Sequence, residues 1–143
     1  MRLSAEWEHQ SGVQLTWPDE TTPWYELDKV QECYARIASA VQADERLMIV
    51  TTSIVEASRR LKEACDAQGL PIDIDKISFC ECGINDTWAR DHGAITLMGG
   101  DEPVLLDFRF NGWGEKFGWQ HDNAITRHLC EQGLLHGSRE DHD

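Results

Sequence analysis

Asn85-Asp86-Thr87-Trp88-Ala89-Arg90-Asp91-His92-Gly93 is the densest polar segment of the chain, set between two apolar runs. Trp88 and Asp91 combine a broad aromatic face with a carboxylate. A flat cation asks for that pair, a ring against its face and a bidentate acceptor at its edge. Arg90 is placed to neutralise a neighbouring carboxylate and keep it ionised, and Asp86 adds a second acid to the segment. On spacing alone, Arg90 and Asp91 read rather as a surface ion pair beside a packing tryptophan. A second cluster, Phe108-Arg109-Phe110-Asn111-Gly112-Trp113-Gly114-Glu115-Lys116, has two glycines that permit a turn other residues would strain to make. Asn111 and Trp113 then either face a pocket or close an ordinary strand-ending turn.

Cys80-Glu81-Cys82 raises other chemistry, since residues two apart on a strand share a face. With His92 the pair gives only three ligands, at a spacing unlike that of tetrahedral zinc sites, so paired core cysteines are the reading adopted. A Cys82–His92 nucleophile pair has nothing to position it. Cys33, Cys65 and Cys130 fall in helical patterns and read as small buried hydrophobes. The other histidines, His9, His121, His128, His136 and His142, have no motif around them.

The elements that must position these groups follow from periodicity. Val13 to Trp17 reads as a short strand closed by Pro18. Thr22 and Pro23 offer an N-cap and first helical residue, and Val30, Tyr34, Ile37 and Val41 mark one helical face. Arg46 to Thr51 holds a continuous apolar run, as in a strand buried on both faces. Ser53 and Glu56 have capping-box spacing ahead of Ile54, Ala57, Leu61, Ala64 and Cys65, and Gly69 with Pro71 ends that helix. Ile77 to Cys82 and Ala94 to Met98 read as strands flanking a polar loop, Gly83 to Gly93. Gly99-Gly100-Asp101 turns the chain into Val104 to Phe110. Asp122 is placed to cap a last helix with Ile125 and Leu129 inward and Gly133 as its stop. Ser138 to Asp143 is charged and reads as a frayed terminus. The order is α/β with mixed strand directions in one domain, residues 1–143, and no glycine-rich phosphate loop follows any strand.

Composition narrows the partners. Thirteen basic against 26 acidic residues give a net charge of −13 in 143 residues, which repels nucleic acid and favours approach of small cations. No stretch is long and apolar enough for a membrane span. The start lacks a signal-peptide pattern, and the odd count of five cysteines suits reduced thiols, so a cytoplasmic protein is expected.

Three segments carry a resemblance: Glu6-Trp7 with Gln14-Leu15-Thr16-Trp17-Pro18, the Asn85–Gly93 segment, and Phe110-Asn111-Gly112-Trp113-Gly114. In order and spacing they resemble the agmatine deiminases and their relatives, the bacterial peptidyl-arginine deiminases, over nearly the whole chain. Trp-x-Arg-Asp is the most specific signal, and Ala94 departs from the proline often found there. The resemblance implies a pentein fold, in which five ββαβ modules ring a substrate channel, with roughly the first two modules present. It also implies that Asp91 binds guanidinium nitrogens and that Trp88 lines the pocket, with Asn111 and Trp113 near it.

The implied reaction is hydrolysis of a guanidinium, agmatine or peptidyl arginine, to a urea and ammonia, without metal or organic cofactor. A Cys thiolate attacks the guanidinium carbon, forming a thiouronium that water resolves, while a His shuttles protons. Family members carry that Cys, the His and a second Asp in later modules, so no catalytic residue is assigned in this chain. The alternative is a non-catalytic guanidine- or amine-binding paralogue. Uncovered sheet edges lead to an expectation of self-association.

Overall fold

Leu47 to Val50 requires apolar neighbours on both sides, and the computed structural model, which describes residues 1–143, supplies them. In chain order the elements are β1 (Arg2–Leu3), β2 (Val13–Thr16), α1 (Leu27–Asp44), β3 (Leu47–Thr51), α2 (Ile54–Gln68), β4 (Ser78–Glu81), α3 (Ala89–His92), β5 (Ile95–Met98), β6 (Val104–Phe108), α4 (Gly112–Glu115), α5 (Ile125–Glu131) and β7 (Ser138–His142). Strands β2, β3 and β4 form a parallel sheet with β3 in the middle. Successive β3 side chains point to opposite faces. Leu47 and Ile49 join Trp17, Ala35, Ala38, Leu61 and Cys65 beneath α1 and α2, whereas Val50 joins Cys80, Ile84, Ile125 and Leu129 beneath α5. Burial of each such aliphatic side chain contributes about 1.5–3 kcal/mol, which makes this strand the centre of the fold.

A second sheet has the order β1-β5-β6-β7. β5 and β6 are the expected hairpin, antiparallel with Ile95 opposite Leu106. The chain returns through α5 to lay β7 parallel to β6, so β5-β6-α5-β7 is one ββαβ unit.

Several expectations are corrected. Helix α1 begins at Leu27 rather than Pro23, because the Thr22 hydroxyl is spent on the Asp19 carbonyl, at 2.6 Å, in a preceding turn. Its fully buried residues are Gln31, Ala35, Ala38 and Ser39; of the expected face, Tyr34 and Val41 pack partly buried against the core, while Ile37 is exposed. Small residues win the fully buried positions because they let α1 approach closely. Gln31, polar and buried, donates to the Pro18 carbonyl at 2.9 Å and accepts from Arg60 at 3.1 Å. Ser53 does cap α2, accepting from the Glu56 amide at 3.3 Å, but the Glu56 side chain pairs with Arg59 instead of completing the box. Cys33 is exposed on α1 and Cys130 only half-buried; of the three helical thiols Cys65 alone is core.

Residues 138–143 are not frayed. Ser138–His142 pairs along β6, and Arg139 sits 3.3 Å from Asp107, a buried acid, and 2.7 Å from Asp141. An edge strand needs only its backbone to pair, and charge on its open side deters further pairing.

Candidate functional site

Both polar clusters leave the carboxyl ends of strands, β4 and β6, where open sheets place their ligand sites. Within the first, the polar loop contains the single turn α3, with Trp88 at its start and Asp91 inside it. Within the second, Trp113 and Glu115 adopt left-handed φ values of 56° and 62°, which non-glycine residues hold only when the surroundings enforce it. Gly112 makes the turn possible. Its φ is 64°, and a Cβ there would lie 2.5 Å from the Phe117 carbonyl oxygen. Asn111 fastens the turn by accepting from the Gly114 amide at 2.9 Å.

The turns meet. Asp91 from the first and Asn111 and Trp113 from the second line one concavity of about 230 Å³, with Phe108, Arg109 and Phe110. Three of the four expected binding residues are thus brought together. Phe110 and Phe117 hold the Trp113 ring edge-on, at 5.1 and 5.7 Å between centroids. Trp88, the fourth, is half-exposed outside that concavity. It packs on Trp24 at 6.1 Å, and the Trp24 indole donates to Thr87 at 3.2 Å.

No basic side chain lies within 4.0 Å of the Asp91 carboxylate. The surface pair with Arg90 is therefore not formed, and Arg90 lies exposed without neutralising Asp91. Asp86 accepts the Thr87 amide at 2.8 Å and shapes the loop. His92 turns inward against Phe110, 3% exposed, and neither ring nitrogen has a partner from another residue. Burial pulls its pKa down to about 4, against the opposing pull of Asp91, so the ring is neutral near pH 7.

Sequence reasoning missed Asp122. It is no helix cap: its buried carboxylate accepts the amides of Asn85 at 2.7 Å and Asp86 at 3.1 Å, tying the first loop to the segment before α5. Burial raises its pKa, the two amides partly offsetting this. An acid before an apolar helix reads as a cap, and nothing local in the sequence signals partners so distant along the chain.

None of the five cysteines lines the concavity. Cys80 lies in the core with its pKa lowered by the Cys82 thiol, which is itself pushed up. No group of three or more His, Cys, Asp or Glu residues is arranged to hold a metal, so Cys80, Cys82 and His92 do not converge. Two larger clefts, of about 420 and about 520 Å³, lie between the starts of α1 and α2 and beside β7. Neither includes Asp91.

The family model of the Porphyromonas-type peptidyl-arginine deiminases matches residues 2–141. The chain belongs to that family. Agmatine deiminase from Ectopseudomonas mendocina is 25% identical over 136 residues, which cover 90% of this chain and 34% of that protein. The chain spans about a third of the length of the curated relatives it matches. Among solved structures, a cysteine-to-serine variant of C. jejuni agmatine deiminase with substrate bound has a TM-score of 0.76 and 27% identity, covering 97% of this chain and 39% of that one. A candidate arginine deiminase from Porphyromonas gingivalis has 40% identity and a TM-score of 0.75, covering 97% and 40%. The mixed α/β architecture is therefore a partial pentein fold of the deiminase family, whose members are hydrolases of C–N bonds. In this deiminase-family chain no helix is long and apolar enough to cross a membrane.

Proposed function

We propose that this chain supplies the guanidinium-holding part of an agmatine-deiminase-like hydrolase, with Asp91 as the acceptor. The observation that carries the reading is an Asp91 carboxylate without a cationic partner, in one concavity with Asn111 and Trp113. A carboxylate meets the parallel N–H groups of a guanidinium edge with two charge-assisted hydrogen bonds. Trp113 offers apolar surface in the same concavity, while Trp88 packs on Trp24 outside it.

Resonance protects the guanidinium carbon from water, so a thiolate must attack it, expel ammonia and be released by water as the urea forms. With Cys65 and Cys80 buried and no thiol at the concavity, the nucleophile and its proton-carrying His belong to parts of the enzyme outside these 143 residues. The substrate-bound C. jejuni variant, with a serine in place of a cysteine, supports a cysteine-dependent reaction on agmatine. The products would be N-carbamoylputrescine and ammonia, in a route to putrescine.

One observation favours a second substrate, arginine or peptidyl arginine. Arg109 lines the same concavity with a guanidinium free of any ion pair, and a cation there suits a guanidine that also bears a carboxylate.

The test is agmatine titration of the chain, with an arginine-terminated peptide as competitor. Asp91→Asn is expected to weaken agmatine binding by about tenfold to about a hundredfold, the worth of a charge-assisted pair of about 1.5–3 kcal/mol, with the urea midpoint unchanged. The wild-type chain is expected to release no ammonia. Equal affinity for the variant removes Asp91 from the site, and ammonia release abolished by loss of one of the five cysteines overturns the absent nucleophile.

A further inference from the structure

Three side chains of one short segment reach every stretch of backbone that carries the candidate site. Asp122, 2% exposed, receives the amides of Asn85 and Asp86. Asn123 receives the Phe110 amide at 2.7 Å, directly before Asn111. Thr126, 1% exposed, donates its hydroxyl to the His92 carbonyl at 3.2 Å, directly after Asp91. Asn85 returns the first contact, its side-chain oxygen accepting the amides of His121 at 2.8 Å and Asp122 at 3.1 Å. Gly83 lies so close to His121 that a Cβ there would meet its Nδ1 at 2.7 Å.

We infer that Asp122, Asn123 and Thr126 are positioning residues of the guanidinium site, a clamp that holds Asp91 and Asn111 in register across the two turns. The inference rests on the guanidinium reading of Asp91.

A buried carboxylate without an ion pair costs several kcal/mol of desolvation, and an apolar residue would fill the same volume without that cost. What the acid alone provides is a charged acceptor, whose bonds to backbone amides are about twice as strong as neutral ones. Those amides belong to the loop that leads into Trp88 and Asp91. Asn123 acts beside Asn111 and Thr126 beside Asp91, so one rigid element, packed through Ile125 and Leu129 onto β3 and β4, fixes the relative placement of both turns. A shift of about 1 Å in such placement costs about a hundredfold in productive engagement of a substrate.

The test uses the 143-residue chain, agmatine as the probe, and two readouts. Thr126→Val removes the hydroxyl and keeps the volume, whereas Thr126→Ser keeps the hydroxyl and removes a methyl. Agmatine affinity is expected to follow the hydroxyl, falling about tenfold in Thr126→Val and staying within about twofold of wild type in Thr126→Ser, whatever the order of their urea midpoints. Asp122→Asn is expected to lose affinity similarly. The second readout, amide hydrogen exchange, needs no ligand. Exchange at Asp91 is expected to speed up about tenfold in Thr126→Val, and exchange at Asn85 and Asp86 in Asp122→Asn, with the Ile49 amide unchanged in both. Wild-type exchange at those amides overturns the clamp, as does an affinity that merely tracks stability. Failure of the wild-type chain to bind agmatine overturns the guanidinium reading itself, and the exchange data tell that outcome apart from failure of the clamp.

Discussion

His92 should make the chain acid-sensitive by an amount its surroundings fix. In an unfolded chain the imidazole titrates near 6.5; in the fold burial pulls that down to about 4. The sign follows from proton binding. Between these values the unfolded state holds a proton that the folded state does not, so falling pH favours unfolding. The loss begins as pH drops below about 6.5 and levels off below about 4. At about 1.4 kcal/mol per unit the full effect is between about 3 and about 4 kcal/mol, and between about pH 7 and about pH 4.5 it is a little over 2 kcal/mol. That is a large fraction of the stability of a domain this size.

Other buried groups oppose this trend. Desolvation raises the pKa of Asp107 and of Asp122, and acids with raised values add stability as pH falls. The wild-type curve alone is therefore a mixture, and a difference is required. His92→Phe keeps an aromatic ring against Phe110 and removes both unpartnered nitrogens. Urea unfolding of both proteins, at one fixed concentration and several pH values, should show the variant losing about 2 kcal/mol less than wild type between about pH 7 and about pH 4.5. Asp91→Asn should steepen the loss, since the Asp91 charge favours the protonated ring. Parallel curves for wild type and His92→Phe would refute the reasoning, because they would mean that His92 titrates alike in both states.

Two further outcomes are expected. Arg139→Ala should cost about 2–4 kcal/mol, because it strands the buried Asp107 carboxylate. Urea unfolding would measure this, with β7 amides losing exchange protection first. The chain should also self-associate, since Leu3, Ile95 and Phe108 leave apolar surface exposed on the second sheet and β2 and β4 are open edges of the first. Sedimentation velocity showing a single monomer across a wide concentration range would contradict this.

Much of the fold was legible because local pattern and tertiary demand agree. The unbroken apolar run of β3, the Ser53 cap and stripe of α2, and the Gly99-Gly100 turn of the β5–β6 hairpin all point one way. What stayed hidden depends on distant partners. Helix α1 buries Ala35 and Ala38 most deeply, because closeness of approach decides the packing, while the larger Tyr34 and Val41 pack at the margin of the core and Ile37 is exposed. A charged strand such as β7 has no apolar alternation to betray it. In the candidate site, the resemblance pointed to Asp91, Asn111 and Trp113, which the fold brings to one concavity, whereas Trp88 packs on Trp24, 64 positions earlier, a contact no spacing rule contains.

Asp91 and Arg109, opposite charges lining one concavity of about 230 Å³, do not neutralise each other. The Arg109 guanidinium lies over the Trp119 ring, 5.2 Å from its centroid, where the indole face attracts a cation without consuming its hydrogen-bond donors. Arg109 also lines the larger cleft beside β7, and its backbone amide is anchored to the His142 carbonyl at 2.8 Å. Backbone and side chain are thus held by partners other than Asp91. The carboxylate remains without a protein cation, and on the proposed function the clamp from Asp122 to Thr126 would keep it where a planar one fits. A chain with a net charge of −13 draws such cations towards its surface. On the proposed function, a carboxylate kept unpaired within that field would give an arriving guanidinium a defined place to bind.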